Sequence, residues 1–164
     1  MRSFIIDTSC LTQAFRVYYP FDIAPSFWKF IKDGIVSGDF VIIDRVHAEI
    51  FRGNDDLKKW LDTEIPTASI FHCDVATMAH YGSIMQWGNN HRQYSYNAKM
   101  DFSEFDNADP FVVASATTHA ATVVSQEISA PASVKNIKLP DVCSNFSVPH
   151  LDTFSFLRTH GFSM

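Results

Sequence analysis

This chain of 164 residues has few cysteines, no long apolar run and no excess of basic residues. Its three cysteines (Cys10, Cys73 and Cys143) are odd in number and widely spaced, so they form neither a disulfide framework nor the paired spacing of a zinc site. This usage favours a reducing, cytoplasmic environment. The apolar runs are too short to span a membrane, and the N-terminus reaches Asp7 too soon for a signal peptide. We therefore expect a cytoplasmic protein with no membrane partner.

The charge balance argues against a generally basic nucleic-acid binder. Lys and Arg number 13 against 18 Asp and Glu, which gives a formal net charge of −5. A nuclease stays open, because four of the 18 acids are candidate metal ligands, as described below, and the remaining 14 acids nearly balance the 13 bases. Bound cations would offset the local negative charge. Any contact with a polynucleotide then depends on a local basic patch.

The length and composition suit one compact domain. Hydrophobic residues make up 46% of the chain and aromatic residues 14%. No internal repeat, low-complexity tail or linker divides it, so we predict one domain over residues 1–164. The alternation of strand and helix patterns predicts an α/β fold, a single three-layer domain whose central, mostly parallel β-sheet is flanked by helices.

Apolar runs and capping residues predict the individual elements. Strands are predicted at 3–6, 40–43, 68–71, 122–125 and near 149–151. Helices are predicted after a cap at Thr8 or Ser9, from Pro25 to just before Gly38, after a cap at Asp44, after a cap at Asn54, and over 74–87, 109–119, 140–146 and 153–159. The polar and aromatic stretch 89–105 is predicted to be a long mobile loop or lid.

Four acidic residues stand beside short apolar runs. Asp7 directly follows the first strand and Glu127 closely follows the strand at 122–125, so both are expected at the carboxyl ends of the strands, where parallel sheets bind ligands. Asp109 begins a helix, whose positive end favours an ionised acid, and Glu49 lies about one turn into its helix. Crowded carboxylates repel one another, which points to a bound divalent cation. Oxygen donors without clustered His or Cys favour Mg²⁺ or Mn²⁺ over zinc.

These motifs, in this order, resemble the PIN-domain family of metal-dependent ribonucleases. Members open with an apolar strand followed by Asp-Thr-Asn, and this chain has Asp7-Thr8-Ser9. Glu49 on a helix after the second strand and Asp109 at the head of an Ala-rich helix are the next two marks. The last mark is a strand ending in Thr with an acid two residues on, where this chain has Ser125 and Glu127. Segments 18–22 and 138–143 further resemble a PIN-like branch labelled DUF4411.

The resemblance implies hydrolysis of RNA phosphodiester bonds with one or two divalent ions. It implies catalytic and metal-binding roles for Asp7, Glu49, Asp109 and Glu127, and supporting roles around them for Thr8, Ser9 and Ser125. Resemblance to the VapC type of toxin implies a cognate antitoxin as partner. Residues that would hold the RNA are Arg45, Arg52, Arg92 and Lys99, with Tyr94 and Tyr96 stacking on bases.

Simpler explanations stay open for each acid. Asp7 and Asp109 could act only as helix caps, and Glu49 and Glu127 only as solvated surface residues. Asp106 is a loop acid close enough to Asp109 to serve as a spare ligand.

Two other functions, and assembly of the chain into a homodimer, also stay open. One is a catalytically silent PIN-like module that binds proteins. The other is a phosphatase of the haloacid-dehalogenase type, whose chemistry needs a second Asp where this chain has Ser9. The three tryptophans (Trp28, Trp60 and Trp87) are expected in the core or at a subunit interface, which leaves a homodimer open.

Overall fold

Five short strands form one parallel sheet at the centre of the computed structural model, which describes residues 3–164. In chain order they are β1 (Phe4–Ile6), β2 (Phe40–Ile43), β3 (Ile70–Phe71), β4 (Thr122–Val124) and β5 (His150–Leu151). Across the sheet the order is β3-β2-β1-β4-β5, and every neighbouring pair is parallel. The strands are almost wholly apolar because helices cover both faces of a parallel sheet.

Nine α-helices connect and cover these strands within the described residues. They are α1 (Thr8–Gln13), α2 (Pro25–Ser37), α3 (Asp44–Phe51), α4 (Asp56–Glu64), α5 (Val75–Asn90), α6 (Tyr96–Ser103), α7 (Asp109–His119), α8 (Leu139–Asn145) and α9 (Thr153–Thr159). A π-helix, Ala14–Tyr18, continues α1, and a 3₁₀ turn, Thr67–Ser69, precedes β3. Within residues 3–164, no helix is both long and apolar enough to cross a membrane. The predicted α/β class with a parallel sheet and flanking helices is confirmed.

Asp7 caps the first helix, so the predicted cap at Thr8 or Ser9 is wrong. Asp7 has the extended backbone that a capping residue needs, and its side chain accepts a hydrogen bond from the backbone N–H of Ser9. Asp7 is therefore the single residue between the strand and the helix. This tight junction fixes the backbone of Asp7 against β1.

Two further predicted caps are also wrong. The residue that caps α3 is Ile43, and Asp44 is the first helical residue, whose Oδ2 accepts from the backbone N–H of Cys73 at 3.4 Å. Helix α4 is capped by Asp55 rather than Asn54, since Asp55 is extended and accepts from a helical N–H. In each case a neighbouring residue already has the extended conformation.

The stretch 89–105 was predicted as a loop, but it contains α6. The hydroxyl of Ser95 caps this helix by accepting from the backbone N–H of Ala98 at 3.2 Å. Ala98 and Phe102 turn inward and are buried. Only these two positions of α6 are buried, so its hydrophobic pattern is too weak to predict a helix from sequence.

Aromatic side chains fill the core at the amino ends of β1 and β2. Phe4 and Phe40 begin those two strands and pack against Phe156 of α9 and against His160, which follows α9. A Cβ atom on Gly34 of α2 would lie 2.0 Å from a ring carbon of Phe40, so only glycine lets this helix approach the strand so closely. Aromatic rings therefore dominate the amino ends of these strands, and Asp7 follows β1 at the opposite, carboxyl end.

Candidate active site

The crevice between β1 and β4 is the place where the order of strands reverses. From β1 the sheet extends to β2 and β3 on one side, whereas β4 and β5 lie on the other side. Open α/β sheets bind ligands outside the carboxyl ends of the strands at such a point. Asp7 follows β1 there, and its backbone N–H donates to the carbonyl oxygen of Val124, the last residue of β4, at 2.9 Å. Two of the predicted acids, Asp7 and Glu127, thus follow the two strands that border the crevice.

Asp7 is buried, and its two carboxylate oxygens have different surroundings. Oδ2 accepts from the backbone N–H of Ser9 at 3.0 Å and from its hydroxyl at 2.5 Å. Oδ1 is buried with no hydrogen-bond partner among the described residues. Burial raises the pKa of Asp7, the bonds from Ser9 oppose that rise, and the charge of Glu49 adds to it. Capping therefore uses one oxygen of Asp7 and leaves the other as a free acceptor.

Ser9 and Ser125 connect the ends of the two strands. The Ser9 hydroxyl gives its only proton to Asp7, so Ser125, whose hydroxyl oxygen lies 3.0 Å away, must donate to Ser9. Ser9 Oγ also accepts from the backbone N–H of Gln126 at 3.0 Å, and Ser125 Oγ accepts from that of Glu127 at 3.1 Å. The direction of every bond is fixed, and the series ends on the Asp7 carboxylate.

Asp109 is the residue in which the proximity of all four acids is clearest. It is the first residue of α7 and does not cap it, since the capping position belongs to Ala108. Its pKa is raised well above 3.8, first by burial and then by the charges of Asp7, Glu127 and Glu49. The Lys138 ammonium opposes this rise. The charges of the other three acids therefore all oppose ionisation of Asp109.

The two glutamates are held by specific donors. Glu49 Oε2 accepts from the Thr8 hydroxyl at 2.5 Å, and Glu49 Oε1 lies 3.8 Å from Nη2 of Arg52. Glu127 Oε2 accepts from the backbone N–H of Leu139 at 3.1 Å. Neither side chain is simply solvated. Within residues 3–164, no group of three or more His, Cys, Asp or Glu side chains is arranged so that it could hold a metal ion.

A cleft of about 190 Å³ opens beside Asp109 and Glu127. The other side chains that line it are Ala98, Asp101, Phe102, Asn107, Lys135, Asn136, Ile137 and Lys138. It runs between α6 and the loop 125–138. Polar groups prevail in its lining, and they include both acids and lysines, which distinguishes it from an apolar ligand pocket.

Two of the predicted RNA-binding residues contact other parts of the chain. The Arg45 guanidinium lies 4.0 Å from the ring centre of Phe105 and 4.5 Å from that of Phe111. Arg52 pairs with Asp106, Nη1 to Oδ2 at 3.2 Å, and donates to its backbone carbonyl at 2.8 Å. Asp106, the predicted spare ligand, is therefore engaged by Arg52. Both arginines fasten the segment before α7, so any RNA contact would compete with these bonds.

The remaining predicted RNA contacts divide by exposure. Lys99 Nζ donates to the carbonyl oxygen of Asn89 at 2.9 Å, near the end of α5. Arg92 is exposed and lies between α5 and α6. Tyr94 is buried, with its ring near Trp87, whereas Tyr96 is 75% exposed. Of the two tyrosines, only Tyr96 has a ring open to a base.

Lys135 and Lys138 were not predicted from the sequence as site residues, yet both line the cleft. Asn107 was also missed; its Oδ1 accepts from the backbone N–H of Asp109 at 3.0 Å and holds the start of α7. The sequence offered a weak signal for the lysines, since they flank a short segment after the strand that leads to Glu127. That signal could not show that the loop 125–138 returns to the crevice.

Residues 4–164 match the family described as "Domain of unknown function (DUF4411)". No curated protein matches the chain. The crystal structure of FitAcB from Neisseria gonorrhoeae is similar, with a TM-score of 0.55, 17% identity, and coverage of 92% of this chain and 98% of that chain. A structure of VapBC2 from Rickettsia felis, bound to a DNA fragment from their promoter, has a TM-score of 0.49, 10% identity, and coverage of 91% and 97%.

The family match spans almost the whole chain, and the likeness to FitAcB concerns the fold alone. The PIN-like architecture expected from the order of motifs is confirmed at that level. From these comparisons, the chain belongs to the DUF4411 family and has a PIN-like fold.

Proposed function

We propose that this protein is a metal-dependent endoribonuclease that hydrolyses RNA phosphodiester bonds. The observation that carries the proposal is the placement of the four acids around the point where the strand order reverses: Glu49 accepts from Thr8, the neighbour of Asp7, and Asp109 and Glu127 line one cleft. Like charges held together cost stability, and a fold keeps such a group when something positive binds there. A divalent cation is the simplest such ligand for carboxylates.

The donor set fits Mg²⁺ or Mn²⁺. All four candidate ligands offer carboxylate oxygens, and the buried Oδ1 of Asp7 has no hydrogen-bond partner among the described residues. Within residues 3–164, no three of these side chains are already arranged to hold an ion, so binding would require side-chain rotation. Thr8 and the N–H of Leu139 engage only Oε2 of Glu49 and of Glu127, so each glutamate keeps a second carboxylate oxygen for an ion. We assign the fixed part of the site to Asp7 and Asp109, since both sit at rigid element boundaries.

A bound divalent cation would supply Lewis-acid chemistry, by lowering the pKa of water and offsetting the charge of the phosphate. The residues of the chain would position the groups. Ser9 donates twice to one oxygen of Asp7, and Ser125 fixes Ser9, so the carboxylate keeps one orientation. Thr8 would orient Glu49 by donating to its Oε2.

The biological role we propose is that of the toxin in a toxin–antitoxin pair, with a cognate antitoxin as partner. The resemblance of the four acidic motifs to the PIN-domain family, many members of which resemble VapC-type toxins, supports this role, and the PIN-like fold agrees with it. A catalytically silent protein-binding module is the second candidate. The observation that favours it is the absence, within residues 3–164, of three side chains already arranged around a metal position.

Cleavage of single-stranded RNA by the purified protein tests the proposal. We expect cleavage with Mg²⁺ or Mn²⁺, none with excess chelator, and a loss of at least about 100-fold in Asp7→Asn and Asp109→Asn. Asp33→Asn is the matched control, because Asp33 is an exposed acid of α2 paired with Lys29. Cleavage that survives chelation or both site substitutions would contradict the nuclease. Tight binding of an antitoxin without any cleavage would favour the silent module.

A further inference from the structure

Most basic side chains of this protein are already held by partners within the chain. The residues held in ion pairs are Arg16, Lys29, Lys32, Arg52 and Lys59, those over aromatic rings are Arg45 and Lys58, and Lys99 donates to a carbonyl. By contrast, within residues 3–164 no carboxylate oxygen lies within 4.0 Å of the ammonium of Lys135 or Lys138. These two lysines are therefore available to an external anion.

Both lysines line the cleft beside Asp109 and Glu127. Lys135 is exposed, and Lys138 is half-buried at the start of α8. The Lys138 charge acts on Asp109, which places the ammonium near the crevice. The Lys138 ammonium lies next to the acids but forms no close ion pair, so it is well placed to attract an incoming anion to them.

The loop that presents these lysines is fastened at several points. The side-chain amide of Gln93 donates to the carbonyl oxygens of Pro131 and Ser133, each at 2.7 Å, and the backbone N–H of Ser95 donates to the carbonyl of Val134 at 2.9 Å. At the other end, the bond from Leu139 to Glu127 joins the loop to the crevice. The lysines therefore start from a fixed backbone, and this fixed start reduces the entropy lost on binding.

A polyanion meets an electrostatic obstacle at this site, because a phosphate cannot approach four carboxylates unless positive charge is present. A divalent cation would offset part of that repulsion at the reacting phosphate. Neighbouring phosphates of the same strand would need further cations, and lysine is a common point-charge ligand for them. The amides of Asn107 and Asn136 add donors to the same lining.

We propose that Lys135 and Lys138 bind backbone phosphates next to the cleaved bond, and that the cleft between α6 and the loop 125–138 is the path of the RNA strand. This inference rests on the proposed function, since it names the substrate contacts of that same site. The competing role is that Lys138 merely offsets the charge of Asp109.

Salt-dependent binding of a fluorescent single-stranded RNA of about 12 nucleotides, measured by anisotropy in Mg²⁺ at low temperature, tests the inference. Each phosphate contact on a single strand contributes about 0.7 to the slope of log affinity against log salt. Lys135→Ala and Lys138→Ala should each lower the slope by about that amount and weaken binding roughly 3- to 10-fold. Lys138→Arg should retain both, and Arg158→Ala, an exposed cation outside the cleft, should change neither.

The outcomes separate this inference from the proposed function. Unchanged slopes in the lysine variants of a protein that cleaves RNA would overturn the binding cleft and leave the nuclease standing. Lysine-dependent slopes in a protein that cleaves no RNA with any metal would support the cleft and contradict the nuclease. A wild type that neither binds nor cleaves RNA would overturn both. A lower melting temperature in Lys138→Ala with an unchanged slope would show that Lys138 only offsets Asp109.

Discussion

Replacing Ser9 by alanine should weaken the fold more than its small size suggests. The substitution removes the 2.5 Å bond to Asp7 and leaves the N–H of Gln126 and the hydroxyl of Ser125 without the acceptor that they share. A hydrogen bond to a charged group contributes about 1.5–3 kcal/mol, and an unsatisfied buried donor costs about 1–3 kcal/mol. Some relaxation is expected, so we predict a loss of about 2–4 kcal/mol in the free energy of unfolding. This corresponds to a fall of roughly 4–16 °C in melting temperature for a domain of this size.

The loss should also depend on pH. The bonds from Ser9 lower the pKa of Asp7, so removing them raises the folded-state pKa of that carboxyl further. A raised pKa favours the protonated folded state, and the extra stability is lost as the pH rises through that pKa. The destabilisation measured by urea unfolding should therefore be larger at pH 7 than at pH 4.5. Ser83→Ala is the control, because Ser83 is exposed and donates only a 3.4 Å bond to Ala79. A Ser9→Ala protein within about 0.5 kcal/mol of wild type at both pH values would refute this reasoning.

Three further predictions concern stability and reactivity. Gly34→Ala should cost about 3 kcal/mol in urea unfolding despite its better helix propensity, because the new Cβ would overlap the Phe40 ring; unchanged stability would contradict this packing. In chelator, Asp109→Asn should be more stable than the wild type at pH 8, and this advantage should be smaller at pH 4.5. The reason is that the raised pKa of Asp109 costs the wild type stability as the pH rises above 3.8. Parallel pH profiles of melting temperature in the two proteins would contradict it. Burial raises the pKa of the Cys10 and Cys143 thiols to about 12, so a thiol reagent at pH 8 should label them only after unfolding, and rapid labelling of the folded protein would contradict their burial.

The parts of the fold that could be predicted are those coded locally. The strands are short apolar runs, and Asp7 and Asp109 lie at element boundaries that Thr8 and Pro110 help to mark. Strand ends in a parallel sheet meet at one edge, so the sequence was sufficient to expect these two acids together. The expectation that Asp7 and Asp109 lie close together did not depend on knowing which strands flank β1 on each side.

The parts that could not be predicted depend on contacts between distant segments. Helix α6 is stabilised by burying Phe102 rather than by a repeating pattern, so the sequence suggested a loop. Arg45 was predicted to hold RNA because the rings that it contacts, Phe105 and Phe111, come much later in the chain. Lys138 reaches the cleft only because the loop before it folds back on α6. In each case the tertiary contact decides a role that local sequence leaves open.

Helix capping shows a smaller limit of the same kind. Asp7, Thr8 and Ser9 are all good capping residues, and only the backbone conformation selects among them. The selection matters for the site, because capping engages one oxygen of Asp7 and leaves the other unpaired. A residue first considered either a cap or a ligand can therefore have both roles.

Binding of Mn²⁺, followed by the electron paramagnetic resonance of the free ion, tests the central claim most directly, namely that the acids at the β1–β4 crevice form a divalent cation site. We expect saturable binding by the wild type, competition by Mg²⁺, and a loss of affinity of about 10- to 100-fold in Asp7→Asn and in Asp109→Asn, with no change in Asp33→Asn. Equal Mn²⁺ affinity in the wild type and both site variants would contradict the claim, as would the absence of saturable binding in the wild type.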